Sequence, residues 1–146
     1  DNVFHVILTP GLWAFNMLEA WTRGSVWTGT GKVLGDWEDL EPRKEYAHQI
    51  TGAYYSARLG VLEHMDSMRR SGACLIWRDI GPEYWAPVGV WLIRETVREA
   101  MKQTPRQFDS LKHAIDYVAP RVSAPDDLRN SWFVKRGRQT RLDSFA

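Results

Sequence analysis

Residues 73–80 read ACLIWRDI and are the most informative segment for the fold. It is apolar at first and charged at its end, where Arg78 and Asp79 stand, which is typical of a central β-strand. Helical patterns flank it over residues 44–70 and from about residue 88 to residue 102. A strand between two helices predicts an α/β arrangement in layers.

The helix predicted over residues 44–70 has the clearest periodicity in the chain. Gly52 and Gly60 within it each cost about 1 kcal/mol of helix propensity relative to alanine. Their presence predicts that another element packs closely against this helix. Apolar side chains recur every three or four positions and form one face for burial, namely Tyr46, Ile50, Ala53 or Tyr54, Ala57, Val61, Met65 and Met68.

The segment before this helix has weaker patterns. Residues 3–8 (VFHVIL) predict a short buried strand. Residues 12–22 predict a short helix, because four large apolar side chains stand at helical spacing: Trp13, Met17, Leu18 and Trp21. Residues 24–39 are rich in glycine and predict an irregular segment with a short strand around Val26 and Trp27. The acidic run in and after this segment is expected to be a solvated loop, with cation binding as the alternative: Asp36, Glu38, Asp39 and Glu41.

The segment after the central strand predicts two further helices and a tail. The second of these helices covers residues 108–118, and from Pro125 onward the composition becomes polar and basic. The prediction is therefore an α/β (or α+β) fold in which a few strands pack with three to four helices. It comprises a mixed domain over residues 1–124 and a flexible, extended basic tail over residues 125–146.

Composition sets the class of protein. The chain has 146 residues, 44% of them hydrophobic and 25% charged, which is ordinary for one globular domain. The net charge is only +1, so contact with nucleic acid would need a local basic patch. Eight tryptophans are mostly expected in the core, although some could stack on bases, and their spacing does not select which.

The single Cys74 excludes an internal disulfide and a cysteine-based zinc finger in this chain. No stretch reaches the roughly 18 apolar residues that span a membrane, and no signal-peptide pattern opens the chain. We expect a cytoplasmic location, no membrane contact, and a fragment of a longer protein, since the chain begins with Asp1. No cofactor is identified.

The last residues contain a short pattern. Gln139, Leu142 and Phe145 fit Gln-x-x-aliphatic-x-x-aromatic. One tight turn brings residues three apart to the same side, so Leu142 and Phe145 would form one apolar plug. Gln139 would offer an acceptor and donors beside the pocket. The pattern resembles the peptide by which many replication and repair proteins bind the DNA sliding clamp, PCNA. Ala146 departs from its fullest form, which has a second aromatic there, and this predicts a weaker plug.

Two alternatives stay open for the tail. Leu142 and Phe145 could fold back onto the domain instead of binding a partner. The basic residues of the tail could contact an acidic rim of the clamp or DNA phosphates, or they could form a solvated linker. These residues are Lys135, Arg136, Arg138 and Arg141.

A second candidate site surrounds the end of the central strand. The carboxylates of Asp79, Glu83 and Glu95, with the guanidinium groups of Arg78 and Arg94, could hold a divalent metal or a phosphate. Such a site would make the chain a DNA-processing enzyme, for example a metal-dependent nuclease. The alternative is an internal ion-pair network without chemistry. The sequence leaves the catalytic residues unknown.

The segment GAYYSARLGVLEHMDSMRRSGACLIWRDIGPEYWAPVGVWLIRETVREAM, residues 52–101, resembles the C-terminal region of the archaeal Nre family of DNA-repair proteins. The closest segments are residues 53–59 (AYYSARL), 78–80 (RDI) and 82–91 (PEYWAPVGVW), followed by Arg94 and Glu95. The helix from Phe108 and the terminal peptide follow the same layout.

The resemblance implies a role in survival of DNA damage and contact with the clamp through Gln139, Leu142, Phe145 and Ala146. Family members are longer, and many carry a cysteine-rich segment near the N-terminus that this chain lacks. The resemblance carries no enzymatic activity across.

Overall fold

The predicted central strand occupies an inner position, second of four, in a mixed sheet. The computed structural model describes residues 2–22, 31–83 and 89–143. For residues 140–143 it describes the backbone alone. The strands are β1 (Asn2–Pro10), β2 (Ala14–Trp21), β3 (Val33–Glu38) and β4 (Gly72–Ile80). The helices are α1 (Thr51–Met68), α2 (Gly89–Met101), α3 (Leu111–Val118), α4 (Pro125–Arg129) and α5 (Trp132–Asp143), with a 3-10 turn at Ala119–Arg121.

Strand β4 pairs on both sides. It is antiparallel to β1 and parallel to β2, while β2 is antiparallel to β3 at the other edge. Side chains of a strand alternate between the two faces of a sheet. Leu75 and Trp77 accordingly face the layer of α3, α4 and α5, while Cys74 and Ile76 face α1 and α2. Each face buries its own apolar core, and the predicted mixed α/β fold is confirmed.

The close packing predicted at two glycines is also confirmed. A Cβ added at Gly60 would lie 3.0 Å from Cγ1 of Val97, and one at Gly52 would lie 2.6 Å from Cγ1 of Val90. Both contacts join α1 to α2. Because glycine has only a hydrogen atom as its side chain, the two helices can approach closely at these positions. The helix begins at Thr51 rather than at residue 44.

The helix predicted over residues 12–22 is wrong, because this segment forms β2. Strand β2 lies between β4 and β3, and both of its faces are covered, so apolar residues stand at neighbouring positions. Met17 faces α1, whereas Leu18 packs against the opposite core. Continuous burial of this kind imitates a helical pattern over a few residues. The short strand expected around Val26 and Trp27 lies outside the described residues.

The extended tail predicted from Pro125 is not what the structure shows up to Asp143. Residues 125–129 form α4 and residues 132–143 form α5. Leu128, Phe133 and Val134 are buried in the same core as Trp77. A few well-spaced apolar side chains in a basic segment suffice to fix it, because each is almost fully covered.

Two side chains hold the start of α5 in place. Asn16 of β2 accepts a hydrogen bond from the backbone N–H of Phe133 at 3.3 Å, and the hydroxyl of Ser131 accepts one from the N–H of Val134 at 3.4 Å. Both satisfy N–H groups that lack partners within a helix. Across the described ranges, no helix is long and apolar enough to cross a membrane.

Candidate functional site

The pattern that resembles a clamp peptide begins on α5. Gln139 is exposed, while Phe133 and Val134, on the other side of the helix, are buried. The backbone at Leu142 is still helical, and Phe145 and Ala146 lie outside the described residues. The structure therefore places the first residue of the pattern on the outer side of a packed helix.

The basic residues of this segment follow one another along α5. Lys135 and Arg138 are exposed, and Arg136 is partly buried. The guanidinium carbon of Arg136 lies 5.8 Å from the ring centre of Trp132, within the range of a cation–π contact. The side chain of Arg141 is outside the description.

Arg78 belongs to a buried ion pair. Its Nη1 lies 2.6 Å from Oε1 of Glu19 on β2, and its Nε donates to Oδ1 of Asn2 at 2.7 Å. The arginine is 3% exposed and the glutamate 4%. Burial raises the pKa of Glu19 more strongly than Arg78 lowers it. This arrangement matches the internal ion-pair alternative for Arg78.

Asp79 and Glu95 lie on opposite sides of the sheet. Asp79 accepts hydrogen bonds from the backbone N–H of Ser123 at 3.2 Å and from its hydroxyl, on the side of α3. Glu95 is on α2, where it accepts from Arg98 at 2.6 Å.

The proposed grouping of carboxylates is therefore not assembled from these two. Glu83 is exposed and immediately precedes residues outside the description. Arg94 lies 3.6 Å from Glu95, on the α2 side. Within the part of the chain that the structure describes, no three His, Cys, Asp or Glu side chains come together as metal ligands.

Two members of the acidic run are buried, so the prediction of a solvated loop is wrong for them. Asp36 and Glu38 on β3 are 4% and 8% exposed. The carboxylate of Asp36 accepts from the backbone N–H of Gln49 and of Ile50, both at 3.0 Å. These contacts hold the chain in a loop and explain why α1 begins only at Thr51.

Glu38 accepts hydrogen bonds from helix α1 and from the residue that precedes β2. It accepts from the hydroxyl of Tyr54 at 3.0 Å, from the indole N–H of Trp13 at 3.3 Å and from Arg58 at 3.2 Å. Burial is the largest cause that raises the pKa of Tyr54, followed by the neighbouring Glu38 carboxylate. The sequence signal was the alternation of Asp36, Trp37 and Glu38, which places both carboxylates on one face of a strand.

A pocket of about 550 Å³ lies above Glu38. Its aromatic lining consists of Trp13, Tyr46 and Tyr55. Its charged lining is balanced, since Arg43, Lys44 and Arg58 stand against Glu38, Asp39 and Glu45. The pocket therefore has no charge preference for an anion or a cation.

Replacing Asp36 with alanine is expected to lower the free energy of unfolding by about 2–3 kcal/mol, since backbone N–H groups before α1 lose their acceptor. Urea denaturation followed by circular dichroism measures the change. Asp39→Ala is the matched control, because the carboxylate of Asp39 accepts from the nearby N–H of Glu41 and not from the residues before α1. A loss for Asp36→Ala no larger than for the control would show that the carboxylate does not hold the loop.

The described residues form a mixed α/β domain built on one four-stranded sheet. The model of the archaeal Nre C-terminal region matches residues 38–145, and the model of the archaeal Nre N-terminal region matches residues 1–28. The chain belongs to the archaeal Nre family. The resemblance noted in the sequence is confirmed, and it extends beyond the C-terminal region to β1 and β2.

Three curated relatives are similar over nearly the whole chain. DNA repair protein NreA of Archaeoglobus fulgidus is 39% identical over 145 residues, which cover 99% of this chain and 36% of the relative. DNA repair protein NreA of Haloferax volcanii is 36% identical over 153 residues, with coverage of 99% and 36%. DNA repair protein NreB of Archaeoglobus fulgidus is 36% identical over 148 residues, with coverage of 99% and 38%. The chain thus spans little more than a third of each relative. No solved structure matches it.

Proposed function

We propose that this chain is part of a cytoplasmic DNA-repair protein that a sliding clamp recruits to DNA through the C-terminal peptide. The names of the three curated relatives support the repair role. The observation that carries the recruitment is the pattern of Gln139, Leu142 and Phe145.

The position of Gln139 supports this proposal. The first turns of α5 are fixed by Phe133 and Val134, whereas Gln139 is exposed about two turns later. The pattern therefore begins at a side chain that lies outside the core. Because helical residues three apart lie on the same side, the helical backbone from Gln139 to Leu142 already suits a turn that presents them together.

Three residues of the peptide make the main contacts with the clamp. Leu142 and Phe145 enter an apolar pocket of the clamp, and the side-chain amide of Gln139 hydrogen-bonds at its rim. Ala146 fills less of the pocket than an aromatic ring would, so we expect modest affinity.

Calorimetric titration of a cognate sliding clamp tests the proposal. Phe145→Ala should weaken binding by roughly 30-fold or more, because anchor residues of an interface carry about 2 kcal/mol or more. Ser144→Ala is the matched control at a neighbouring position that the pattern leaves unspecified, and its affinity should equal that of the unaltered chain. Equal binding by the Phe145→Ala chain, or no binding by the unaltered chain, would refute clamp recruitment.

A further inference from the structure

Two tryptophans stack on the surface near the start of α5. The ring centres of Trp37 and Trp132 are 4.4 Å apart, and the rings are nearly parallel, at 11°. Trp37 lies on β3, an edge strand, and is 46% exposed. Trp132 packs against the core beneath. The core thus fixes one ring, and that ring holds the other flat at the protein surface.

Basic side chains follow this stacked pair along the helix. Lys135 and Arg136 come three and four positions after Trp132, which places them one turn further on the same side. Arg138 is also exposed, and no acidic residue occurs between Trp132 and Gln139. This concentration of positive charge contrasts with the net charge of +1 for the whole chain.

We propose that Trp37, Trp132 and the basic side of α5 form a binding surface for single-stranded DNA. An unpaired base stacks on the exposed indole of Trp37, and Lys135, Arg136 and Arg138 neutralise neighbouring phosphates. The choice of DNA as ligand rests on the proposed repair function. The preference for a single strand has an independent reason, since bases inside a duplex are already stacked on one another and cannot cover a protein ring.

The location of this surface gives it a role next to the clamp peptide. The stacked pair lies at one end of α5, and Gln139 lies about two turns away on the same helix. A strand bound along the basic side would therefore pass close to the docked clamp. The basic residues would serve DNA binding rather than the clamp rim, which separates two of the alternatives left open by the sequence.

Fluorescence anisotropy with a labelled poly-dT oligonucleotide tests the aromatic part. Trp37→Ala should weaken binding about tenfold, the size of effect typical of losing one base–aromatic stack. Trp91→Ala is the matched control, because Trp91 is 61% exposed on α2, in the opposite layer. Its affinity should equal that of the unaltered chain, and a labelled duplex should bind more weakly than the single strand.

The salt dependence of binding tests the basic part with variants confined to the surface. Each phosphate contact on a single strand contributes about 0.7 to the slope of log affinity against log salt. The double variant Lys135→Gln with Arg138→Gln should lower this slope by about 1.4. Lys102→Gln, whose side chain is 68% exposed at the end of α2, should leave the slope unchanged. Thermal unfolding of the Trp37→Ala variant shows whether the substitution disturbs the edge of the sheet. If it does, the salt dependence still tests the proposal, because its variants lie on the exposed side of α5.

Several results would overturn the proposal. They are no binding of the oligonucleotide by the unaltered chain, equal affinity for duplex and single strand, or equal effects of Trp37→Ala and Trp91→Ala. A double lysine–arginine variant that loses clamp affinity and keeps DNA affinity would assign the basic residues to the clamp instead. The DNA measurements contain no clamp, and the clamp titration contains no DNA, so either proposal can fail alone.

Discussion

Phe133→Ala is expected to lower the free energy of unfolding by about 3–5 kcal/mol, the usual cost of emptying a buried phenylalanine site. Phe133 is 3% exposed and packs in the core that covers one face of the sheet. Because domains of this size are stable by only about 5–15 kcal/mol, the loss would be a large part of the total.

Urea denaturation followed by circular dichroism measures this loss. Lys135→Ala, two positions further on the exposed side of α5, is the control and should change stability by less than about 0.5 kcal/mol. If both variants unfolded at the same urea concentration as the unaltered chain, residues 125–143 would be a loose tail, as their composition alone predicted.

Arg78→Met is expected to cost about 3–5 kcal/mol at neutral pH, because it leaves the buried carboxylate of Glu19 without its partner. The pair spans β2 and β4, and both side chains are almost fully buried. Changing both residues, with Glu19→Leu added, should recover much of the loss, since well-packed apolar residues often replace a buried ion pair without penalty. Arg98→Met, at a half-exposed pair between α1 and α2, should cost far less.

The pH dependence of this variant follows from the direction of the Glu19 shift. Burial already raises the pKa of Glu19 above its ordinary value, and removing the positive charge raises the pKa further. A raised pKa of a folded carboxyl favours the folded state at low pH, and this contribution is lost as the pH rises through the folded-state pKa. The difference in stability between Arg78→Met and the unaltered chain should therefore be largest near neutral pH and shrink on acidification toward pH about 4. A difference that stays constant over this range would mean that Glu19 is not the source of the loss.

The sequence predicted correctly those elements whose residues carry a local apolar run or a helical period. Strand β4, helices α2 and α3, and the close approach at Gly52 and Gly60 were all visible in the sequence. Each is specified by an apolar run or by a period of three to four residues, and these signals do not require a partner to be known.

The failures share a physical cause, which is that the deciding partner is distant in sequence. Strand β2 is covered on both faces by residues far along the chain, so its side chains show no alternation. Asp36 is buried because backbone N–H groups at Gln49 and Ile50 meet it. Phe133 is fixed through Asn16, more than a hundred positions earlier. The residues next to each of these positions in the sequence do not indicate that the contact forms.

The candidate sites differ in the same way. The clamp pattern is a linear motif, so the sequence could predict Gln139, Leu142 and Phe145 without any fold. The carboxylates Asp79 and Glu95 were predicted to share a site because they lie close along the chain, but the sheet separates them. The stacking of Trp37 on Trp132 could not be predicted, since it joins an edge strand to the last helix.

The pairing of β4 with its two neighbouring strands also determines where this chain can be cut into shorter fragments. Both strands that flank β4 come from the stretch matched by the N-terminal family model, residues 1–28. A fragment starting at residue 38 would keep every helix that the structure describes, but it would leave the backbone of β4 unpaired along both edges, which invites aggregation. The boundary between the two family models is therefore no place to cut a gene for expression, and recombination that exchanged one region without the other would have to rebuild the middle of the sheet.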